Sequence, residues 1–88
     1  MRIQEDFILK EVAGSYVVVP VGEKLVDFSA MITLNETGAF LWEKLKEEKS
    51  VDQLVDDLLK EYHVDPSVAK SDVEEFVQLL RNEKLLIE

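Results

Sequence analysis

From residue 50 to residue 62 the chain repeats its apolar residues at helical spacing. Val51, Leu54, Val55, Leu58, Leu59 and Tyr62 fall at i, i+3, i+4, i+7, i+8 and i+11. Ser50 and Gln53 supply the two halves of a capping box, which starts the helix at Val51. His63-Val64-Asp65-Pro66 then breaks the pattern, with Asp65 as cap and Pro66 at the first position of a new helix. That helix runs to about Asn82 on an inner face of Ala69, Val73, Phe76, Val77 and Leu80. An earlier helix is predicted from Glu36 to about Lys46, capped by Asn35, with Phe40, Leu41, Trp42 and Leu45 apolar. Glu36 sits where the helix dipole favours negative charge. Gly38 falls in the same first turn at a cost of about 1 kcal/mol relative to Ala, which implies that something packs against bare backbone there.

Upstream the period changes to two. Phe7–Val12 and the Val-rich run 16–21 flank Ala13-Gly14-Ser15, the signature of a β-hairpin. Pro20 cannot donate to a ladder and belongs at a strand end or on an edge. After a turn at 22–24 the chain returns over residues 25–34 as an irregular third strand, best formed from Ser29 onward. Leu85, Leu86 and Ile87 form a short terminal strand or pack on the sheet. The expected architecture is α+β: a three-stranded antiparallel sheet followed by three helices, a winged helix-turn-helix-like order, in one domain over residues 1–88.

Composition narrows the function. The 88 residues suffice for one modest core, and hydrophobic residues at 47% can fill it. There is no Cys, so disulfides, thiolate metal sites and thiol nucleophiles are excluded. The first ten residues mix acids and a Lys into their apolar stretch and do not read as a signal peptide. No run approaches the roughly 20 apolar residues of a membrane span. The expectation is a cytoplasmic protein with no membrane contact.

The formal charge of −9 comes from 10 basic and 19 acidic residues. The bases are scattered along the chain, and an acid excess repels the phosphate backbone, so nucleic-acid binding is disfavoured.

Catalytic constellations are absent from the pattern. His63 is the only histidine and lies in a loop, where a solvated polar role is the ordinary one. Asp56 and Asp57 fall opposite the apolar stripe of their helix, and Glu74 and Glu75 lie between core positions. Neither pair is expected to hold a metal. With only Gly14, Gly22 and Gly38 there is no phosphate-binding loop. No enzyme activity, cofactor or metal site is expected.

A binding surface is more legible. On a helical projection of the last helix, Val68 and Leu79 fall together roughly 110° from the centre of its core stripe. Asp72 and Glu75 share that side. These residues either widen the core face or form the wall of a groove. The third strand, with Met31, Ile32, Thr33 and Leu34, would be the other wall if it lies at the sheet edge. Its backbone would then be open to an added strand. The pattern alone leaves open which strand is the edge.

One stretch carries a family likeness. A strand entering Leu34-Asn35-Glu36-Thr37-Gly38, then Leu41-Trp42, a Ser-Val-Asp-Gln-Leu helix start and Val64-Asp65-Pro66 before the last helix resembles the PqqD-like family. These are proteins of the pyrroloquinoline quinone biosynthesis protein D type, also known as peptide recognition elements of ribosomal-peptide modification systems. The likeness spans residues 15–86. It departs from many relatives over residues 23–30, which are longer and less regular than a tight Gly-containing hairpin, with Phe28 the single aromatic.

The resemblance implies a non-catalytic domain that holds the leader segment of a precursor peptide as an extra β-strand. The partner it implies is a modifying enzyme, often of the radical S-adenosylmethionine class. Carried over, the cleft would be lined by Met31, Ile32, Thr33 and Leu34 on one side, and by Val68, Asp72, Phe76 and Leu79 on the other. The competing reading is a winged-helix transcriptional regulator or protein-interaction module, which predicts a clustered basic surface. An open edge can also pair with a second copy to give a homodimer.

Overall fold

The computed structural model describes residues 1–22 and 32–88. Its elements are β1 (Arg2–Ile3), β2 (Phe7–Val12), β3 (Ser15–Pro20), β4 (Ile32–Leu34), α1 (Glu36–Lys44), α2 (Val51–Glu61), α3 (Pro66–Asn82) and β5 (Leu86–Ile87). The architecture is the expected α+β: an antiparallel sheet in the order β2-β3-β4, followed by three helices. Most of the irregular third strand expected over 25–34, Met31 included, lies outside the described residues. Its described end is the short strand β4.

The hairpin turn is the tightest kind. Val12 pairs with Ser15, so the loop is two residues long. Ala13 and Gly14 both take positive φ, 52° and 83°. That is the signature of a type I′ turn, whose twist matches the flanking strands. Gly14 accepts this conformation freely, whereas Ala13 does so at a cost of about 1–2 kcal/mol.

The register of the sheet decides which backbone groups remain outside it. The Val21 N–H donates to the Asp6 carbonyl at 2.8 Å, which makes 6 and 21 a hydrogen-bonded pair. Antiparallel ladders alternate such pairs with non-bonded ones. Phe7 opposite Pro20 is therefore a non-bonded pair, and Pro20 ends its strand at a position that needs no donor toward β2. Continuing the alternation, Tyr16 and Val18 point their N–H and C=O toward β4, where they meet Leu34 and Ile32. Val17 opposite Thr33 is then a non-bonded pair, and the Thr33 N–H and C=O face away from β3.

Ile32 and Leu34 point inward, both buried, while Thr33 is exposed. Behind them Leu41, Trp42 and Leu45 of the α1 segment are fully buried. Leu54 and Leu58 of α2 join them, with Ala69, Val73, Val77 and Leu80 of α3 closing the same cluster. Burial of the Trp42 indole alone makes Trp42→Ala worth about 3–5 kcal/mol of destabilisation.

The helix boundaries follow local chemistry. Asn35 Oδ1 accepts from the Gly38 N–H at 2.8 Å, and the Ser50–Gln53 capping box is complete. Asp65 occupies the cap position of α3 without the side-chain bond expected of it, and Pro66 takes the first turn. Its carboxylate still faces the positive end of the dipole. α1 stops at Lys44, two residues early, because Leu45 turns into the core and the chain must reverse toward Ser50. Asp57 also differs from expectation. It is not a solvated outer acid but meets Lys49 Nζ at 2.9 Å, with both side chains largely covered.

The chain end folds back through a Schellman motif. Leu85 N–H bonds to Leu80 O at 2.9 Å and Lys84 N–H to Arg81 O at 3.1 Å, with Lys84 at φ 60°. Leu80 and Leu85 are both fully buried, supplying the apolar contact of that motif. The reversal delivers β5 to β1 as a separate two-stranded sheet rather than to the main sheet. The short β1 had no sequence signal, since two residues carry no period. No helix among the described residues is long and apolar enough to cross a membrane.

Both left-handed non-glycine residues predict a gain. Ala13→Asn and Lys84→Gly should each stabilise the fold by about 1 kcal/mol, read as a rise of roughly 4–8 °C in Tm. An unchanged Tm in calorimetry would refute the strain assigned to that position.

Candidate functional site

Among the described residues no strand lies on the outer side of β4, which is an edge of the described sheet. Alongside it runs an open cleft of about 600 Å³. Thr33 and Leu34 form its strand wall, and Asn35, Thr37, Gly38 and Leu41 the corner where β4 enters α1. Asp72, Glu75, Phe76, Gln78, Leu79 and Asn82 form the α3 wall.

The corner is set by Gly38. A Cβ there would lie 3.2 Å from Leu34 Cβ and 3.2 Å from Asn35 Oδ1. Leu34 Cβ hangs directly on the backbone and cannot swing aside, so the missing side chain is what lets α1 start against the end of β4. The contact expected at this glycine is thus with the cap itself and the strand residue before it.

The α3 wall is a second stripe beside the core stripe. Positions 72, 75, 79 and 82 repeat at spacings of three and four, so they share one face. Phe76 is almost completely buried and forms the floor, while Leu79 is 37% exposed although it neighbours fully buried Leu80. Leu79 thus leaves apolar surface in the cleft beside the strand edge. Gln78 and Asn82 hold each other through a 2.8 Å side-chain hydrogen bond at one end.

Of the residues proposed from the sequence, Thr33, Leu34, Asp72, Phe76 and Leu79 come together in this cleft. Met31 lies outside the described residues. Ile32 does not line the cleft: its side chain is buried in the core cluster, and the cleft meets the strand only at Thr33 and Leu34. Val68 is also outside it. One turn before Asp72, in the first turn of α3, it is 46% exposed and borders a separate shallow depression with His63, Val64 and Asp65. The corner residues and Gln78 and Asn82 were missed. The 3-4-3 spacing that links 72, 75, 79 and 82 was the signal for Asn82, but nothing local announces that the start of α1 joins the same wall.

Opposite chemistry gathers elsewhere. Phe40 and Tyr62 pack edge-to-face with centroids 5.6 Å apart and an 85° interplanar angle. Lys44 Nζ lies 5.4 Å from the Phe40 ring centre. The Tyr62 hydroxyl is pushed above its ordinary pKa, first by burial and then by Glu36, Glu61 and Tyr16.

The fold and the site define a small α+β domain with one strand edge left open next to an amphipathic helix flank, the geometry that accepts a guest strand. The family described as Coenzyme PQQ synthesis protein D (PqqD) matches residues 9–86, and the chain belongs to that family. A solved structure described as TbiB1 in complex with the TbiA(beta) leader peptide is 26% identical. The two superpose with a TM-score of 0.75 over 98% of this chain and 94% of that one. Among curated proteins no sequence matches.

The placement of neighbours on α3 separates the cleft from the core. Leu79→Asp should leave stability within about 1 kcal/mol, because the new charge remains in water. Leu80→Asp, one position on, should unfold the domain by burying an unpaired carboxylate. Circular-dichroism melts of the two variants check this, and equal losses would contradict the assignment of Leu79 to the cleft.

Proposed function

We propose that this chain is a non-catalytic recognition domain that binds the leader segment of a ribosomally made precursor peptide. The leader adds to β4 as a further strand, and a separate modifying enzyme, of the radical S-adenosylmethionine class, receives the peptide from it in the cytoplasm. The observation that carries the reading is the open β4 edge, with the Thr33 N–H and C=O directed outward beside Leu79 and Phe76. Membership of the PqqD family and the leader-peptide complex of a similar structure support it.

The energetics suit a guest strand. Each main-chain bond contributes about 1 kcal/mol net. One buried apolar side chain adds about 1.5–3 kcal/mol. Ordering a flexible peptide consumes a large part of this, so the apolar anchor in the cleft decides whether binding is measurable. Two copies pairing through their β4 edges would fill the same border, so homodimerisation and leader binding exclude one another in this reading. His63 lies exposed in the α2–α3 turn, outside the cleft, which leaves the cleft without its imidazole as an acid–base group.

The test is titration of the full chain with the synthetic leader of a precursor peptide encoded beside it, followed by amide NMR shifts and calorimetry. Saturable one-to-one binding is expected, with the largest shifts at Thr33, Leu34, Leu41 and Leu79. Leu79→Asp should weaken it at least about tenfold by removing the anchor contact, equivalent to about 1.4 kcal/mol. Thr33→Pro deletes the outward N–H while sparing the β3–β4 bonds, since proline is tolerated on an edge, and should weaken binding similarly. Undiminished affinity in both variants would overturn strand addition at β4.

A further inference from the structure

The cleft has a polarity that the open edge does not require. Its α3 wall presents two carboxylates, Asp72 and Glu75, and no Lys or Arg lines it among the described residues. Asp72 is half-buried and Glu75 exposed. Every described ion pair forms elsewhere: at the amino terminus with Glu48, Arg2–Glu5, Lys46–Glu43, Lys49–Asp57 and Arg81–Glu88. Neither cleft acid has a hydrogen-bond or ion-pair partner among the described residues. Three residues apart on one helix, they repel each other as neighbouring like charges do. A guest lying over them removes water from both, which is unfavourable unless it brings a compensating cation.

Strand geometry fixes where that cation sits. The guest residue opposite Thr33 bonds to it through the backbone and, like Thr33, turns its side chain to the outer face. Its two neighbours therefore point inward, between β4 and α3. Inward positions recur every second residue. Asp72 and Leu79 are two helical turns apart, ~10 Å along α3, a span of about three extended residues. For a guest that runs alongside α3, the inward positions nearest to the apolar anchor at Leu34, Leu41, Phe76 and Leu79 are two or four residues away from it.

We propose that the cleft selects guest strands that carry Lys or Arg two or four residues from an apolar anchor, the cation neutralising Asp72 and Glu75. This rests on the leader-binding reading and adds the chemical class of the leader. Apolar contact gives the grip, and the two carboxylates reject acidic segments that would otherwise fit the same edge. The overall charge of −9 strengthens the preference by drawing basic peptides toward the domain.

The experiment uses a random fifteen-residue peptide library displayed on phage, selected in parallel on the full chain, on Leu79→Asp and on the Asp72→Asn/Glu75→Gln double variant. Melting curves first establish that all three are folded. Peptides from the unmodified chain should be enriched in Lys or Arg at an even spacing from an apolar residue. The double variant should keep the apolar residue and lose the basic one. Exchanging that Lys for Glu in the strongest isolate should weaken binding about tenfold at low salt, and less as salt screens the pair. Peptides that depend on Leu79 but show no basic preference, or an acidic one, would overturn the proposal and leave the leader-binding reading intact. Failure to recover any peptide that depends on Leu79 would remove both.

Discussion

The hydrogen-bond alternation between β3 and β4 is the constraint on which the site depends. Tyr16 and Val18 fasten Leu34 and Ile32 through the backbone, and this leaves the intervening Thr33 with its polar groups turned outward. A one-residue slip would exchange these roles. It would also move Ile32 and Leu34 from the core to the surface, since side chains alternate with the same period. Burial of two apolar residues therefore holds an unpaired amide and carbonyl at a fixed place on the edge.

The rest of the fold keeps that edge from closing. α1 begins directly from β4, pinned by the Asn35 cap and by the close approach of Gly38 to Leu34. Trp42, Leu41 and Leu45 anchor α1 from below. α3 packs its core stripe onto α2 and leaves its second stripe facing the edge. Between them lies the open cleft of about 600 Å³. Unpaired edges usually invite aggregation. Here the edge strand is short in its described part, and the carboxylates of Asp72 and Glu75 line the cleft beside it.

β1 and β5 form a two-stranded sheet of their own. The Schellman reversal after α3 brings β5 to β1, and the Ile3 N–H reaches the Leu45 carbonyl at 2.9 Å. The two ends of the described chain thus pair with each other. Of the two end strands of the main sheet, β2 and β4, it is β4 that runs beside the cleft.

Much of the fold was legible because it is written in local periods. The 3.6-residue repeat of α2 and α3, the Ser50 capping box, the Ala13-Gly14 turn and the alternation of Phe7–Val12 each specify an element from neighbours in sequence. Thr33, Leu34, Asp72, Phe76 and Leu79, proposed as one strand and one helix flank, do lie together in the cleft. Ile32 and Val68 lie outside it, because period gives direction around an element and not depth along it. Val68 has the right angle but stands one turn beyond the end of the cleft, and Ile32 lies on the right strand but two residues before the end of β4 that the cleft meets.

Tertiary structure alone decided that β4 ends the sheet, that β1 and β5 pair, and that the start of α1 joins β4 and α3 in one cleft. Those facts depend on contacts between residues far apart in the chain, where no local repeat carries information. Sequence determined the elements and their buried faces through solvent exclusion acting over a few residues. The packing of those faces then determined which polar backbone atoms were left without a partner.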